Sequence, residues 1–480
     1  MNVIQNQIYC FIPFYLDNAL EAHPGELWVE QKPYLDSDAM YPYMGTGSRM
    51  HSVYALNFAG NASLSKFMRQ TSYIRGAGGS HGSVVVNLMN VNTNSWRTPR
   101  LVVTNDGEVG VLIIPLTVSC ADAGESLTDD MVCAFVNRLQ KYDSTQAPVF
   151  EYRIKNNNST VQDNIDADLR LKHRDMPHTW TIATLADFLL APLKGRISMF
   201  KPFRAHILTE LLASGSDNGP HLLSDRDKIS LLRITHCQNA RYHTLLDDRT
   251  TKVIMPVFGN SYAGVSVEGA CCMQILQHDD ADSYLEQYPA GTFQSRFMWL
   301  YVNAFVQRHA LLNIDRQLAD AVANVSESGP MTKEDCFNAT VPKLCAIRLC
   351  GAFSNVSAYS HINALNSFLS KNLGVTDLYA ELDEKLHSID TWLKLIEAQQ
   401  QNEAARIMKS ETEKRQKFEN FLQTGGVILA ILALLYGIPQ SITALNDAWR
   451  GSLWGWTLIC LVPAIIGMTC LIILMKRSRR

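Results

Sequence analysis

Little in this sequence announces a reaction. No Cys-x-x-Cys spacing, no His-Glu-x-x-His and no phosphate-loop signature occurs in its 480 residues. Its eleven cysteines, an odd number, are scattered without ligand spacing, so no zinc site is expected and they read as small apolar side chains. The adjacent Cys271 and Cys272, and the pair Cys345 and Cys350, are expected to serve packing. Net charge is only −3, which implies no general attraction to nucleic acid. Met1–Asn18 has a polar start and one short, strand-like apolar run, Ile8–Leu16, so no secretory signal is expected. Paired carboxylates and histidines occur without a spacing that names a reaction, and the chain is not expected to be an enzyme.

Long apolar runs are also scarce until the end of the chain. From residue 1 to 290 the pattern is mixed and predicts an α/β (or α+β) domain that senses a ligand on the cytoplasmic side. Runs rich in β-branched and aromatic residues predict strands at Ile8–Leu16, Leu27–Glu30, Ser52–Phe58, Ser83–Val91, Leu101–Thr104, Gly107–Leu116, Val149–Lys155, Lys228–Thr235 and Lys252–Val257. Asn105-Asp106-Gly107 predicts a hairpin turn. Helices are expected at Ser63–Gln70, Thr128–Lys141, Ile182–Leu190 and Ala205–Ala213.

Residues 291–420 change to long helices. Thr292–Val325 is helical in period, and Thr332–Lys371 is a second helical region interrupted or kinked near Pro342. Gly374 stops it, and a third helix follows with Leu378, Leu382, Leu386, Ile389, Leu393 and Ile396 as a narrow apolar seam. Glu397–Lys417 is polar almost all round and lacks Gly and Pro. A helix of that kind predicts a stalk between partners.

Residues 421–480 hold two apolar segments, Gly425–Ile438 with 14 residues and Leu453–Met475 with 23. The second is long enough to cross a hydrocarbon core of roughly 30 Å; the first suffices only as the continuation of the stalk helix. The expectation is therefore a two-helix C-terminal transmembrane hairpin, with crossings at about 421–438 and 453–475 and the outer loop Pro439–Ser452. Basic flanks at Lys409, Lys414, Arg415 and Lys417, and at Lys476, Arg477, Arg479 and Arg480, place both termini in the cytoplasm of an inner-membrane, multi-pass protein.

This architecture resembles the CorA family of cation channels over the last 190 residues. Trp299-Leu300-Tyr301, Gln307-Arg308 and Leu311-Leu312 look like the aromatic/Gln-Arg helix of the wider superfamily. Tyr436-Gly437-Ile438-Pro439 stands where the family carries Tyr-Gly-Met-Asn at the mouth of its pore. The resemblance implies a homo-oligomer, a pentamer in the family, embedded in a lipid bilayer with those four residues as its filter. Pro439 has no side-chain oxygen to hold the waters of Mg²⁺, so magnesium selectivity is not expected. A degenerate signature with an enlarged N-terminal domain is similar to the CorA-like effectors beside type III CRISPR systems. There the resemblance implies an antiviral channel gated by a nucleotide second messenger, an S-adenosylmethionine–AMP conjugate. Two alternatives are a divalent-cation transporter with an altered filter and a membrane-anchored sensor or enzyme.

A nucleotide would need a site in the first 290 residues. Gly45-Thr46-Gly47-Ser48-Arg49 and Arg75-Gly76-Ala77-Gly78-Gly79-Ser80 are candidates, because glycines let backbone N–H groups approach a phosphate and Arg49 or Arg75 would neutralise it. Flexible surface loops explain the same glycines. Arg170, Lys172, His173 and Arg174 form a second basic candidate. Asp279, Asp280 and Asp282 are candidate ligands for a divalent cation such as Mg²⁺ between subunits, as in the CorA family; a helix-start capping cluster explains the same residues.

Overall fold

The computed structural model describes residues 1–16, 26–31, 51–57, 62–69, 71–74, 84–88, 96–120, 125–152, 179–193, 196–200, 204–214, 223–239, 244–258, 260–276, 296–323, 331–351, 355–448, 465 and 469. The chain divides into two compact units, Met1–Ile389 and Asp390–Arg480.

Unit 1 is built on one mixed sheet of fifteen described strands. In chain order these are β1 Asn2–Leu16, β2 Trp28–Gln31, β3 His51–Leu56, β4 Thr71–Ile74, β5 Val84–Asn87, β6 Arg100–Thr104, β7 Val109–Cys120 and β8 Leu127–Thr128. They continue as β9 Phe150–Tyr152, β10 Thr179–Trp180, β11 Ile197–Met199, β12 His206–Ser214, β13 Ile254–Phe258, β14 Ser261–Val265 and β15 Gly269–Leu276. The long path runs β10-β9-β4-β5-β7-β1-β12-β15-β14-β13. At β7 the sheet forks: Gly110–Ile113 pair with β6, which leads to β3 and β2, while Thr117–Cys120 pair with β5.

The central strand β1 shows why the sheet is buried on both sides. Its alternate side chains Ile8, Cys10, Ile12 and Phe14 enter one core, and Tyr9 and Phe11 enter the other. The first core is closed by helices α2 (Asp129–Gln140), α3 (Ile182–Leu189) and α4 (Asp225–Thr235), with α1 (Ala62–Met68) also contributing. Beyond the four-residue α5 (Asp248–Thr251), the second core is closed by α6 (Met298–Ala323), α7 (Met331–Gly351), α8 (Ser360–Asn372) and the first turns of α9 (Val375–Ala448). Local chemistry starts these elements. Thr128 caps α2 by accepting from Met131 N, with Asp129 and Asp130 in the first turn. The β6–β7 turn places Gly107 at φ 70°, and Asp106 Oδ1 accepts from Thr104 Oγ1 at 2.5 Å and from Glu108 N at 3.0 Å.

Two segments adopt the opposite structure to that expected. Ala205–Ala213, expected as a helix, is strand β12, because helices bury both of its faces and erase the alternation that marks a strand. Lys228–Thr235, expected as a strand, lies in α4, where Ser224 accepts from Asp227 N and two aspartates occupy the first turn. Pro342 sits inside an unbroken α7 rather than interrupting it.

The C-terminal expectation is corrected. Among the described residues no helix is long and apolar enough to cross a membrane, which removes the support for the transmembrane hairpin and for an inner-membrane, multi-pass location with cytoplasmic ends. Helix α9 runs for 74 residues and passes Pro439 to end at Ala448, where an outer loop was expected. The apolar run of the expected first crossing, Gly425–Ile438, is 14 residues of this helix, about 21 Å against a core of roughly 30 Å. The expected second crossing, 453–475, lies outside the described residues except for Ile465 and Thr469.

Candidate functional site

Helix α6 organises the second face of the sheet. Phe297, just before the helix, and Tyr301, Phe305, His309, Asn313 and Gln317 recur every four residues, a row that winds slowly round the helix by about 40° per step. Their rings make a column with the sheet: Phe305 lies 4.3 Å from His309, 4.8 Å from His206 and 5.1 Å from Phe11. Phe200 sets its edge on His309 at 4.9 Å and lies tilted against Tyr15, whose ring also carries the Arg316 guanidinium at 4.1 Å. His206 Nε2 hydrogen-bonds the Tyr301 hydroxyl, and His309 Nδ1 donates to Phe305 O at 2.9 Å. Burial pushes both imidazoles down to about 3, so both are neutral at ordinary pH. They act as hydrogen-bonding ring systems rather than as acid–base groups. Where the stripe turns polar, Glu108 Oε2 accepts from Asn313 Nδ2 at 3.0 Å and Gln317 Nε2 at 2.9 Å, and Glu108 Oε1 accepts from Lys343. That carboxylate ties the β6–β7 turn to α6 and α7.

The Gln307-Arg308 pair works as a clasp on two helix ends. Gln307 Nε2 and Asn303 Nδ2 donate to the carbonyl of Gly351 at the end of α7. Arg308 Nη1 donates at 2.5 Å to the carbonyl of Leu373, the C-cap of α8. Last-turn carbonyls have no intrahelical partner, and a cation also suits the negative end of the dipole. Gly374 follows at φ 73°, and a Cβ there would stand 2.8 Å from Arg308 Nη1. The expected result of Arg308→Ala is a loss of about 2 kcal/mol from the missing charged hydrogen bond. Amide exchange should rise at 373–378 while the α2 and α3 amides keep their protection; uniform protection in the variant would remove the clasp.

Two further sets of polar side chains lie on the same sheet face. Trp299, in the first turn of α6, is 5.2 Å from the ring of His51 and 6.4 Å from that of Trp96, over which Arg100 sits at 5.9 Å. Glu210 on β12 is paired in register with Gln7 on β1 and Cys272 on β15, and Gln274 lies two residues beyond Cys272 on the same face. Glu210 is partly exposed as a residue, yet its Oε2 is sealed from solvent. Burial raises its carboxyl to about 8, against the opposing charge of Arg97. Sequence reasoning singled out neither His51 nor Glu210, whose neighbours lie far along the chain.

The residues singled out in the sequence are not assembled into a site. Arg49, Arg75, Gly76, Gly78, Gly79, Ser80, Asp279, Asp280 and Asp282 lie outside the described residues, as do Arg170, Lys172, His173 and Arg174. Tyr436, Gly437, Ile438 and Pro439 belong to the backbone of α9, with side chains outside the description. Gly78-Gly79-Ser80-His81-Gly82 also has the Gly-x-Ser-x-Gly spacing of a serine nucleophile turn. Such a turn leads from a strand into a helix, whereas the next described element here is strand β5. Among the described residues no group of three or more His, Cys, Asp or Glu side chains is placed to hold a metal ion. No protein-family model, curated protein or solved structure matches this chain.

Proposed function

We propose that the protein is a homo-oligomeric binding protein, not a catalyst: unit 1 senses a small nucleotide messenger and copies associate through the helix of unit 2. The observation that carries the oligomeric part is the exposure of large apolar side chains on α9. Phe418, Phe421, Leu422, Ile428, Leu429, Ile431 and Leu432 are all exposed, Phe421 at 72% and Leu429 at 68%. Phe418, Phe421, Gly425, Ile428 and Leu432 follow steps of three and four, the spacing of a helix–helix seam. Gly425 and Gly426 open onto free space, which lets a second helix approach closely. A lone helix is marginal in water, so packing against other copies supplies the stability that Glu397–Lys417 lacks.

The pore implied by the CorA-like resemblance depended on the corrected hairpin, and this reading does not include one. The assembly is tested by sedimentation of the full chain. A mass of several copies, five by the resemblance, is expected, and Phe421→Asp with Leu429→Asp should release single chains. A single-chain mass at tens of micromolar would overturn it. Calorimetric titration with an S-adenosylmethionine–AMP conjugate tests the messenger separately: saturable heat supports it, and no heat removes it while leaving the assembly standing.

A further inference from the structure

We infer that Glu411 and Lys414 form a charged layer between the α9 helices of neighbouring copies, and that this layer holds the helices parallel and in register. The inference rests on the association of copies through α9 and adds its direction and its register.

The seam that carries the association does not stop at Phe418. Upstream, Lys414, Glu411, Ile407, Ala404 and Gln400 continue the steps of four and three without a break. Ile407 is 62% exposed, and the other four are exposed as well. Apolar side chains therefore stand on both sides of one charged pair. Nearer the start of the helix, Lys394 is neutralised by Asp390 of its own chain at 2.6 Å. Among the described residues Glu411 and Lys414 have no ion-pair partner, so both charges are left for another chain.

Charge alone admits two directions, and the apolar residues decide between them. An antiparallel partner would set Glu411 opposite Lys414. The same register would set Leu422 opposite Glu403, Ile428 opposite Glu397 and Ile431 opposite Lys394, three apolar side chains against three charged ones. A parallel partner in register keeps the apolar residues from 418 to 433 against the same residues of its neighbour. Glu411 of one chain and Lys414 of the next are then about 4.5 Å apart along the axis, within reach of each other. A slip of one heptad would bring Glu411 opposite Phe418 and Lys414 opposite Phe421, stripping water from both charges without supplying a partner. A polar layer in an apolar seam fixes register in this way, at some cost in stability.

The test uses the full chain in sedimentation, with oxidation and peptide mapping of cysteine variants. Glu411→Lys and Lys414→Glu each leave a layer of one sign and should weaken assembly about tenfold or more. The double exchange, Glu411→Lys with Lys414→Glu, should restore it, which a general loss of helix stability would not allow. On oxidation, Ala404→Cys should join copies through position 404 of both chains. In a mixture of Ala404→Cys and Phe421→Cys chains, linkage of 404 to 421 would show an antiparallel pair. That linkage, an assembly without the 404-to-404 link, or an assembly indifferent to charge reversal or not restored by the exchange would each overturn the inference and leave the association standing. A single-chain mass for the parent would remove the association and the inference with it.

Discussion

Gly110→Ala is expected to destabilise the folded protein by about 3 kcal/mol or more. Gly110 on β7 faces Phe14 on β1 in direct register. A Cβ at position 110 would stand 2.3 Å from Cζ and 2.4 Å from Cε2 of the Phe14 ring. That ring is fully buried in the first core, so no rotamer carries it into solvent. Overpacking of a tight core costs about 1–3 kcal/mol, and a contact this short on the two central strands belongs at the upper end or beyond. A domain stable by about 5–15 kcal/mol would lose a large part of its margin. Urea unfolding should show the midpoint fall with little change in slope. The pair Gly110→Ala with Phe14→Leu should recover part of the loss, because the smaller side chain leaves room for the new methyl. Full stability in the single variant would mean that the two strands are not in this register.

The second large effect is a stability maximum near pH 6.5. Unfolded chains protonate His206 and His309 around 6.5, whereas the folded protein holds both imidazoles neutral down to about 3. Stability from these two groups is therefore complete above pH 6.5 and is lost as pH falls towards 3. Glu210 has the opposite slope. The folded protein keeps its proton up to about 8, while the unfolded chain releases it above 4.5, so stability falls as pH rises between those values. Below 6.5 two protons oppose one, and above 6.5 Glu210 acts alone. One proton corresponds to about 1.4 kcal/mol per pH unit, which makes the decline from pH 6.5 to 8 about 2 kcal/mol. Glu210→Gln should remove that decline and leave the acid limb intact. Urea titrations at intervals from pH 4 to 9 measure both limbs; equal parent stability at pH 6.5 and 8 would show that Glu210 ionises freely.

Much of unit 1 was legible because some segments carry their own instructions. The apolar, β-branched run Ile8–Leu16 read as a strand, and it forms the greater part of β1. Asn105-Asp106-Gly107 supplied a turn, with Gly107 free to take φ 70°. Thr128 with two following aspartates started α2. The failures have equally definite causes. In β12, burial on both faces replaced alternation with a continuous apolar run that reads as a helix. In α4, Ile229, Ile234 and Thr235 read as a strand, whereas the fold starts a helix at the Ser224 cap upstream of them.

The site was less legible, for a geometric reason. Gln307 and Arg308 could be singled out as residues, but their partners are backbone carbonyls at Gly351 and Leu373, 44 and 65 positions away. A carbonyl has no side-chain identity, so no pattern of residue types announces it. The neutrality of His206, His309 and Glu210 is likewise a property of what surrounds them. Residue order alone settled the extended run Ile8–Leu16, the tight turn before β7 and the polar stretch of α9, because each depends on neighbours within a few positions. Packing decided that helices cover both faces of the sheet, that Gln307 and Arg308 hold helix ends, and that His206, His309 and the Glu210 carboxyl are buried. Those outcomes arise from contacts between segments far apart in the chain, where burial sets the strength of every charge and hydrogen bond.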